Sequence, residues 1–129
     1  MPNLYRAMKA EGGLPVKVST AAGLGVREGY DIKPDLEGNV HPGIGGLSVT
    51  PDDPDLMVSS LKPRALGGEG KNPLWSINSD DLAEELVYRH DERRQDRSHG
   101  FIEPFRTMTY ADYAVAIAAT CDLWERVAL

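Results

Sequence analysis

Glycine and proline are concentrated in one stretch of this chain, and that distribution limits what the chain can fold into. Nineteen of the 22 glycines and prolines lie between Gly12 and Pro73, whereas residues 74–127 contain only Gly100 and Pro104. A loop-rich stretch of this length inside a compact domain is usually functional or mobile. We therefore expect long connections in the first half of the fold and regular elements mainly in the second half.

The chain has 129 residues, which is enough for one domain with its own core, so we expect residues 1–129 to form a single domain. Its formal charge of −6 speaks against non-specific nucleic-acid binding. The single cysteine, Cys121, excludes an intramolecular disulfide. No run of 18 apolar residues occurs, and Met1-Pro2-Asn3 does not begin a signal peptide, so we expect a cytoplasmic protein without a membrane partner.

Short segments with alternating apolar residues predict strands. The four predicted strands are residues 4–8 (LYRAM), 46–50 (GLSVT), 74–78 (LWSIN) and 100–103 (GFIE), the last of them stopped by Pro104. Residues 86–89 favour a further strand, although Asn78-Ser79-Asp80-Asp81 could instead begin a short helix before Leu86.

The closing segment has the strongest helical pattern. Thr109 followed by Asp112 is typical of a helix start, because the hydroxyl caps a free amide and the acid suits the first turn. Apolar residues then recur at helical spacing as far as Ala128, which predicts an amphipathic helix over residues 110–127. Several short strands, long connections and one terminal helix indicate an α+β domain rather than a βαβ alternation.

Three patterns have an ordinary structural interpretation beside a functional one. Residues 41–46 (HPGIGG) lack the spacing of a nucleotide-binding loop, and they predict a tight turn or a place, at Gly45 and Gly46, where a ligand lies against the main chain. The histidines His41, His90 and His99 match no metal-ligand spacing, so we expect no metal. Residues 89–97 hold four arginines and three acids, typical of a solvated loop or of an arginine edge that contacts an anion.

Three polar residues each interrupt an apolar strand: Arg6, Ser48 and Glu103. Such residues face solvent, pair with another buried group or line a cleft. Together they suit a nicotinamide dinucleotide. Arg6 would hold phosphate or ribose, and Glu103 would accept a hydrogen bond from a ribose hydroxyl and stabilise the positive charge as the glycosidic bond opens. Ser48 would orient the glutamate.

At these residues the chain resembles a family of small bacterial toxins delivered by type VI secretion, which have an ADP-ribosyltransferase-like fold. The resemblance rests on short motifs in a shared order: Leu4-Tyr5-Arg6-Ala7, Asp31-Ile32, residues 38–49, residues 77–82, residues 99–108 and the closing helix. It implies a split β-core around a cleft for NAD as substrate, with Arg6, Ser48 and Glu103 as catalytic residues. Phe101 stands where many arginine-modifying members carry a second acid, which speaks against arginine as the acceptor.

The sequence therefore predicts an NAD-dependent toxin-like enzyme that transfers ADP-ribose to a macromolecule or to water. Besides Arg6 and Ser48, we expect Tyr5, Gly45, Gly46 and Phe101 at the NAD site, with Tyr5 and Phe101 either flanking the nicotinamide or packing in the core. A neutralising immunity protein is an expected partner. The alternatives are a non-catalytic interaction protein on the same fold and a toxin that acts on RNA or translation.

Overall fold

The computed structural model describes residues 2–129, which contain ten strands and one α-helix. The strands are β1 (Asn3–Ala7), β2 (Ala10–Glu11), β3 (Leu14–Pro15), β4 (Asn39–Val40), β5 (Leu47–Pro51), β6 (Leu74–Asn78), β7 (Leu86–His90), β8 (Gly100–Pro104), β9 (Met108–Thr109) and β10 (Glu125–Arg126). The helix, α1, covers Tyr110–Ala119. Four single 3-10 turns lie at Pro54–Leu56, Arg64–Leu66, Ser79–Asp81 and Cys121–Leu123. Two long connections, residues 16–38 and 52–73, hold half of the 22 glycines and prolines.

A six-stranded antiparallel sheet in the order β10-β6-β1-β5-β8-β7 forms the centre of the molecule. The pairing of β1 with β6 runs the full length of both strands. In contrast, β1 pairs with β5 only at Leu4↔Pro51 and Tyr5↔Thr50. Beyond this short ladder the side chain of Arg6 reaches the carbonyl oxygen of Ser48. The side chain of Arg6 therefore connects β1 to β5 at the point where the main-chain hydrogen bonds between these two strands end.

One face of the sheet is covered and forms the main core. Leu4, Leu47, Ile77 and Ile102 lie at paired positions of four strands and are fully buried. Tyr113 and Ile117 of α1, together with apolar residues of the 16–38 connection, pack against them. Burial of each such side chain contributes about 1.5–3 kcal/mol to folding. Because successive strand residues point to opposite faces, the residues between them are on the other, more open face.

The helix is shorter than the spacing of its apolar residues predicts. Thr109 caps its start as expected, accepting a hydrogen bond from the Asp112 amide at 3.0 Å, but α1 ends at Ala119 and the predicted extent of residues 110–127 is wrong. The hydroxyl of Thr120 donates to the carbonyl of Ile117, and a 3-10 turn follows. The chain then forms β10 on the open edge of β6. Cys121 and Trp124 remain buried without a helix, so the apolar spacing alone could not locate its end.

The predicted strands are confirmed with small shifts at their ends. The prediction for residues 74–78 coincides with β6, and β8 continues through Pro104 instead of stopping before it. Residues 86–90 are the strand β7, whereas the possible helix after Asn78 is only a 3-10 turn. The described chain is a sheet-dominated domain with one helix, in agreement with the α+β class. Among residues 2–129, no helix has the length and apolar character needed to cross a bilayer.

Candidate functional site

The open face of the sheet carries two neighbouring cavities of similar size. The first, of about 390 Å³, lies between β1, β5, residues 56–61 and residues 94–99, and we call it the Arg6 cavity. The second, of about 400 Å³, lies between β8, residues 43–45 and residues 89–93, and we call it the Glu103 cavity. The loop that joins β7 to β8 borders both of them. The predicted site residues are therefore divided between two adjoining spaces.

Glu103 is a completely buried carboxylate in the wall of the Glu103 cavity. One carboxylate oxygen, Oε1, accepts a short hydrogen bond from Nε of Arg89 on the neighbouring strand β7. The other, Oε2, accepts from the main-chain amide of Gly43 at 3.0 Å. The Arg89 side chain keeps 49% of its surface exposed, and its hydrogen bond to Glu103 raises the pKa of the guanidinium. The buried negative charge is thus fixed from two sides and balanced by a solvated cation.

Arg6 is also buried, but its hydrogen bonds go to the main chain of the protein itself. Its Nη1 donates to the Ser48 carbonyl at 2.9 Å, and Nε and Nη2 donate to the Gly23 carbonyl at 3.2 and 2.9 Å. Further bonds from Nη2 reach the carbonyls of Thr20 and Ala21. Burial lowers the pKa of Arg6 to about 10. Arg6 borders the Arg6 cavity, and its guanidinium connects residues 20–23 to β5.

Ser48 and the two predicted aromatic residues lie along the same open face. Ser48 pairs with Phe101 across β5 and β8, yet Ser48 borders the Arg6 cavity and Phe101 the Glu103 cavity. The hydrogen bonds described for Glu103 come from Arg89 and Gly43, so these two groups orient the carboxylate in place of Ser48. Tyr5 borders the Arg6 cavity and also packs against a small apolar cluster that includes Met57.

Gly45 and Gly46 allow the chain to pass close to itself. Gly45 has φ +129°, and a Cβ atom there would collide with the carbonyl oxygen of Asp31. Gly46 has φ +155°, and a Cβ atom there would collide with the Ile102 carbonyl and with the Tyr113 hydroxyl. Gly45 also borders the Glu103 cavity. The glycines are therefore required by the packing of this loop, which presents the Gly43 amide to Glu103.

A buried acid–histidine pair between the two cavities was not predicted from the sequence. Asp91 is 4% exposed, and its carboxylate accepts hydrogen bonds from Nε and Nη2 of Arg93 at 2.9 and 3.0 Å. It also bonds Nδ1 of His99 at 2.9 Å. The hydrogen bonds from Arg93, and then the one from His99, hold the pKa of Asp91 well below its usual range. The imidazole of His99 meets the ring of Phe101 edge-on, with 4.7 Å between centroids.

The two residues of this pair lie at the two ends of a hairpin loop, which brings them together in the fold. Asp91 directly follows β7, His99 directly precedes β8, and the Asp91 amide donates to the His99 carbonyl. In the sequence, Asp91 is one of three acids in an arginine-rich run, and nothing distinguishes it as the buried one.

Within residues 2–129, no group of three or more His, Cys, Asp or Glu side chains is arranged to hold a metal ion. Comparison of the chain with protein-family models, with curated proteins and with solved structures gave no match.

Proposed function

We propose that the open face binds NAD and that Glu103 promotes cleavage of the nicotinamide–ribose bond, as expected for an ADP-ribosyltransferase-like toxin. The observation that supports this function best is the carboxylate of Glu103, which is fully buried and fixed at the wall of a cavity. Burying a charged carboxylate is costly unless it is paired. A fixed carboxylate beside a cavity is suited to stabilise a positive charge that develops only in the transition state.

In the proposed reaction the bond between ribose C1′ and the nicotinamide nitrogen breaks, and its electron pair neutralises the pyridinium. Glu103 accepts a hydrogen bond from a ribose hydroxyl and stabilises the oxocarbenium-like sugar. The oxygen of an acceptor, either a macromolecule or water, then bonds to C1′. Phe101, in the same cavity, offers a ring edge or face to the nicotinamide.

The phosphates of NAD would contact the arginines of β7 and of the β7–β8 loop rather than Arg6. The donors of Arg6 are engaged by five described hydrogen bonds to main-chain carbonyls. Arg94 borders the Arg6 cavity, whereas Arg89 and Arg93 border the Glu103 cavity. Guanidinium groups bind phosphate with two parallel hydrogen bonds. We therefore assign Arg6 the role of holding the wall of the site.

The direct test is release of nicotinamide from NAD by the purified protein. We expect release by the wild type, and a rate about 100- to 1,000-fold lower for Glu103→Gln, which keeps the size of the side chain but removes its charge. Glu84→Gln, at an exposed residue outside both cavities, is the matched control and should behave as wild type. Absence of release by the folded wild type, or equal rates for wild type and Glu103→Gln, would refute the proposal.

A toxin of this kind would need a neutralising protein in the cell that makes it, and growth of an expressing strain gives a second test. Expression of the wild type should stop growth, whereas expression of Glu103→Gln to the same level should not. Equal growth of the two strains would leave no support for toxicity.

A non-catalytic binding protein is the second candidate, and it is favoured by the enclosure of both buried charges. Each oxygen of Glu103 already accepts one hydrogen bond and the residue is fully buried, so a ribose hydroxyl must find a remaining lone pair beside Arg89 or replace Arg89. Titration calorimetry with NAD separates the two functions. Heat of binding without any release of nicotinamide would favour this second candidate over the enzyme.

A further inference from the structure

The pair formed by Asp91 and His99 leaves one ring nitrogen of the histidine without a described hydrogen bond, on a residue that borders the Arg6 cavity. Nδ1 of His99 is engaged by Asp91, whereas none of the hydrogen bonds described for residues 2–129 involves Nε2. The side chain of His99 is 25% exposed and borders the Arg6 cavity. Since the carboxylate of Asp91 is ionised, it accepts the Nδ1 proton, and the lone pair of the neutral ring then resides on Nε2.

The position of His99 relative to Glu103 follows from strand geometry. His99, Phe101 and Glu103 alternate along one face, and the contact between the His99 and Phe101 rings shows that these two side chains lie on the same side. At about 3.3 Å per residue, the Cα atoms of His99 and Glu103 are roughly 13 Å apart. Phe101 lies between them. The carboxylate and the imidazole therefore flank one aromatic ring from opposite ends.

We propose that His99, oriented by Asp91, is the general base that takes the proton of the acceptor in the cleavage of NAD. This inference rests on the proposed function. The acceptor oxygen forms its bond to ribose C1′, the bond from C1′ to the nicotinamide nitrogen breaks with its electron pair leaving on nicotinamide, and the acceptor proton passes to Nε2. The imidazolium, held by the negative charge of Asp91, later returns the proton to solvent.

The distance between Glu103 and His99 along the strand is consistent with one residue binding the ribose and the other taking the acceptor proton. A hydrogen bond from a ribose hydroxyl to Glu103, the ribose itself, an attacking oxygen near C1′ and a hydrogen bond from that oxygen to His99 add up to roughly 11 Å. The two Cα atoms are roughly 13 Å apart and both side chains leave the strand on the same face, which leaves room for a span of this length. The ribose would then lie over Phe101, with the acceptor entering from the Arg6 cavity.

The lining of the Arg6 cavity favours a neutral acceptor with a hydroxyl group, such as water or an alcohol. The hydroxyl-bearing residue Ser48 and the apolar residues Met57 and Val58 border the cavity, and Arg94 borders it as well. Two arginines, Arg6 and Arg94, border the cavity against one acid, Asp96, and this excess of positive charge disfavours a cationic acceptor such as arginine. An alcohol or water needs a base to become a good nucleophile, whereas a carboxylate acceptor does not.

The test compares His99→Asn with the wild type in nicotinamide release, with NAD and water as the only substrates. Asparagine can still donate to Asp91 from a position close to that of Nδ1, but it provides no base. We expect release to fall about 100-fold or more, while the calorimetric Kd for NAD and the thermal midpoint stay as in the wild type. His41→Asn is the matched control. His41 also bonds an acid, Asp35, but both of its ring nitrogens are engaged and it borders neither cavity, so its rate should not change.

The outcomes separate this inference from the function on which it rests. If the wild type releases no nicotinamide, both proposals fall. If the wild type is active and folded His99→Asn keeps its rate within about threefold, or loses rate only because NAD no longer binds, the role of base is refuted and the proposed function stands. If His99→Asn does not fold, His99→Gly with added imidazole decides: recovery of release supports the base, and no recovery refutes it.

Discussion

Arg6 and Glu103 are both charged residues inside apolar strands, both are buried, and each borders one of the two cavities, yet their surroundings differ. Arg6 is held by the protein's own carbonyl oxygens, from residues 20–23 and from Ser48. Glu103 is held by one main-chain amide and by Arg89, whose side chain is half exposed. The first charge is enclosed by fixed main chain, whereas the second meets a partner that can move toward solvent.

This difference separates a charge that serves the fold from one that is available for chemistry. A ligand could reach Arg6 only by displacing main-chain carbonyls that would lose their hydrogen bonds, which costs about 1–3 kcal/mol for each buried group. A ligand could reach Glu103 beside the half-exposed side chain of Arg89, and a hydrogen bond from the ligand would keep the buried carboxylate paired if Arg89 moved away. The same pattern in the sequence, a charge within an apolar strand, thus has two physical outcomes.

The largest effect on stability is expected from Arg6→Met. This change leaves buried carbonyls of residues 20–23 and Ser48 without donors, and we expect the free energy of unfolding to fall by about 4 kcal/mol. Urea denaturation measures it, and Arg64→Met, at an exposed arginine, is the control and should change little. A loss below about 1 kcal/mol for Arg6→Met would mean that Arg6 does not hold the fold and does not differ from Glu103 in this respect.

A smaller loss of stability is expected from Glu103→Gln, even though it should abolish most of the activity. The glutamine carbonyl can accept from Gly43 or from Arg89 but not from both, and the freed guanidinium of Arg89 remains in contact with water. We expect the free energy of unfolding to fall by about 2 kcal/mol or less in the same urea titration. If the loss matched that of Arg6→Met, Glu103 would be structural in the same sense as Arg6.

The sequence predicts which residues interrupt the strands but not what they contact. Alternation of apolar residues locates β1, β5, β6 and β8 to within one residue at either end, because one face of each strand is buried. The partners of Arg6 are main-chain carbonyls more than ten residues away in the chain, and main-chain carbonyls have no sequence signature. Only the folded chain shows that residues 20–23 supply them.

Neither the end of α1 nor the burial of Asp91 could be predicted from the sequence, and the reason is related. Cys121 and Trp124 keep a helical spacing although they lie in a 3-10 turn and beside it, because both positions face the same core. The free edge of β6 offers main-chain hydrogen bonds to the last residues, and this tertiary partner decides the local structure. Asp91 likewise differs from the neighbouring acids only because the hairpin places His99 opposite to it.

Asp91 provides a third buried charge whose contribution should depend on pH. Its pKa in the folded protein lies well below the value of about 3.9 for an unfolded aspartate. Its stabilisation is therefore fully present above about pH 5 and is lost as the pH falls below 4. We expect the free energy of unfolding of Asp91→Asn to be about 1–2 kcal/mol below that of the wild type at pH 6, and this difference should shrink toward pH 3. Thermal unfolding at the two pH values measures it. A difference that does not change between pH 6 and pH 3 would contradict the ionised, paired state of Asp91.

The smallest effect on stability is expected from Arg94→Gln, a variant that tests which arginine at the Arg6 cavity binds the ligand. Arg94 is exposed, and its guanidinium takes part in none of the hydrogen bonds or ion pairs described for residues 2–129, so the free energy of unfolding should change by less than about 0.5 kcal/mol.

If Arg94 rather than Arg6 contacts the phosphates of NAD, the variant should bind NAD several-fold more weakly, and added salt should reduce the difference because it screens the charge. Calorimetry at two salt concentrations measures both effects. Unchanged affinity in Arg94→Gln would exclude a phosphate contact by this arginine. Arg89 of β7 and Arg93 of the following loop, which border the Glu103 cavity, would then be the arginines left to provide it.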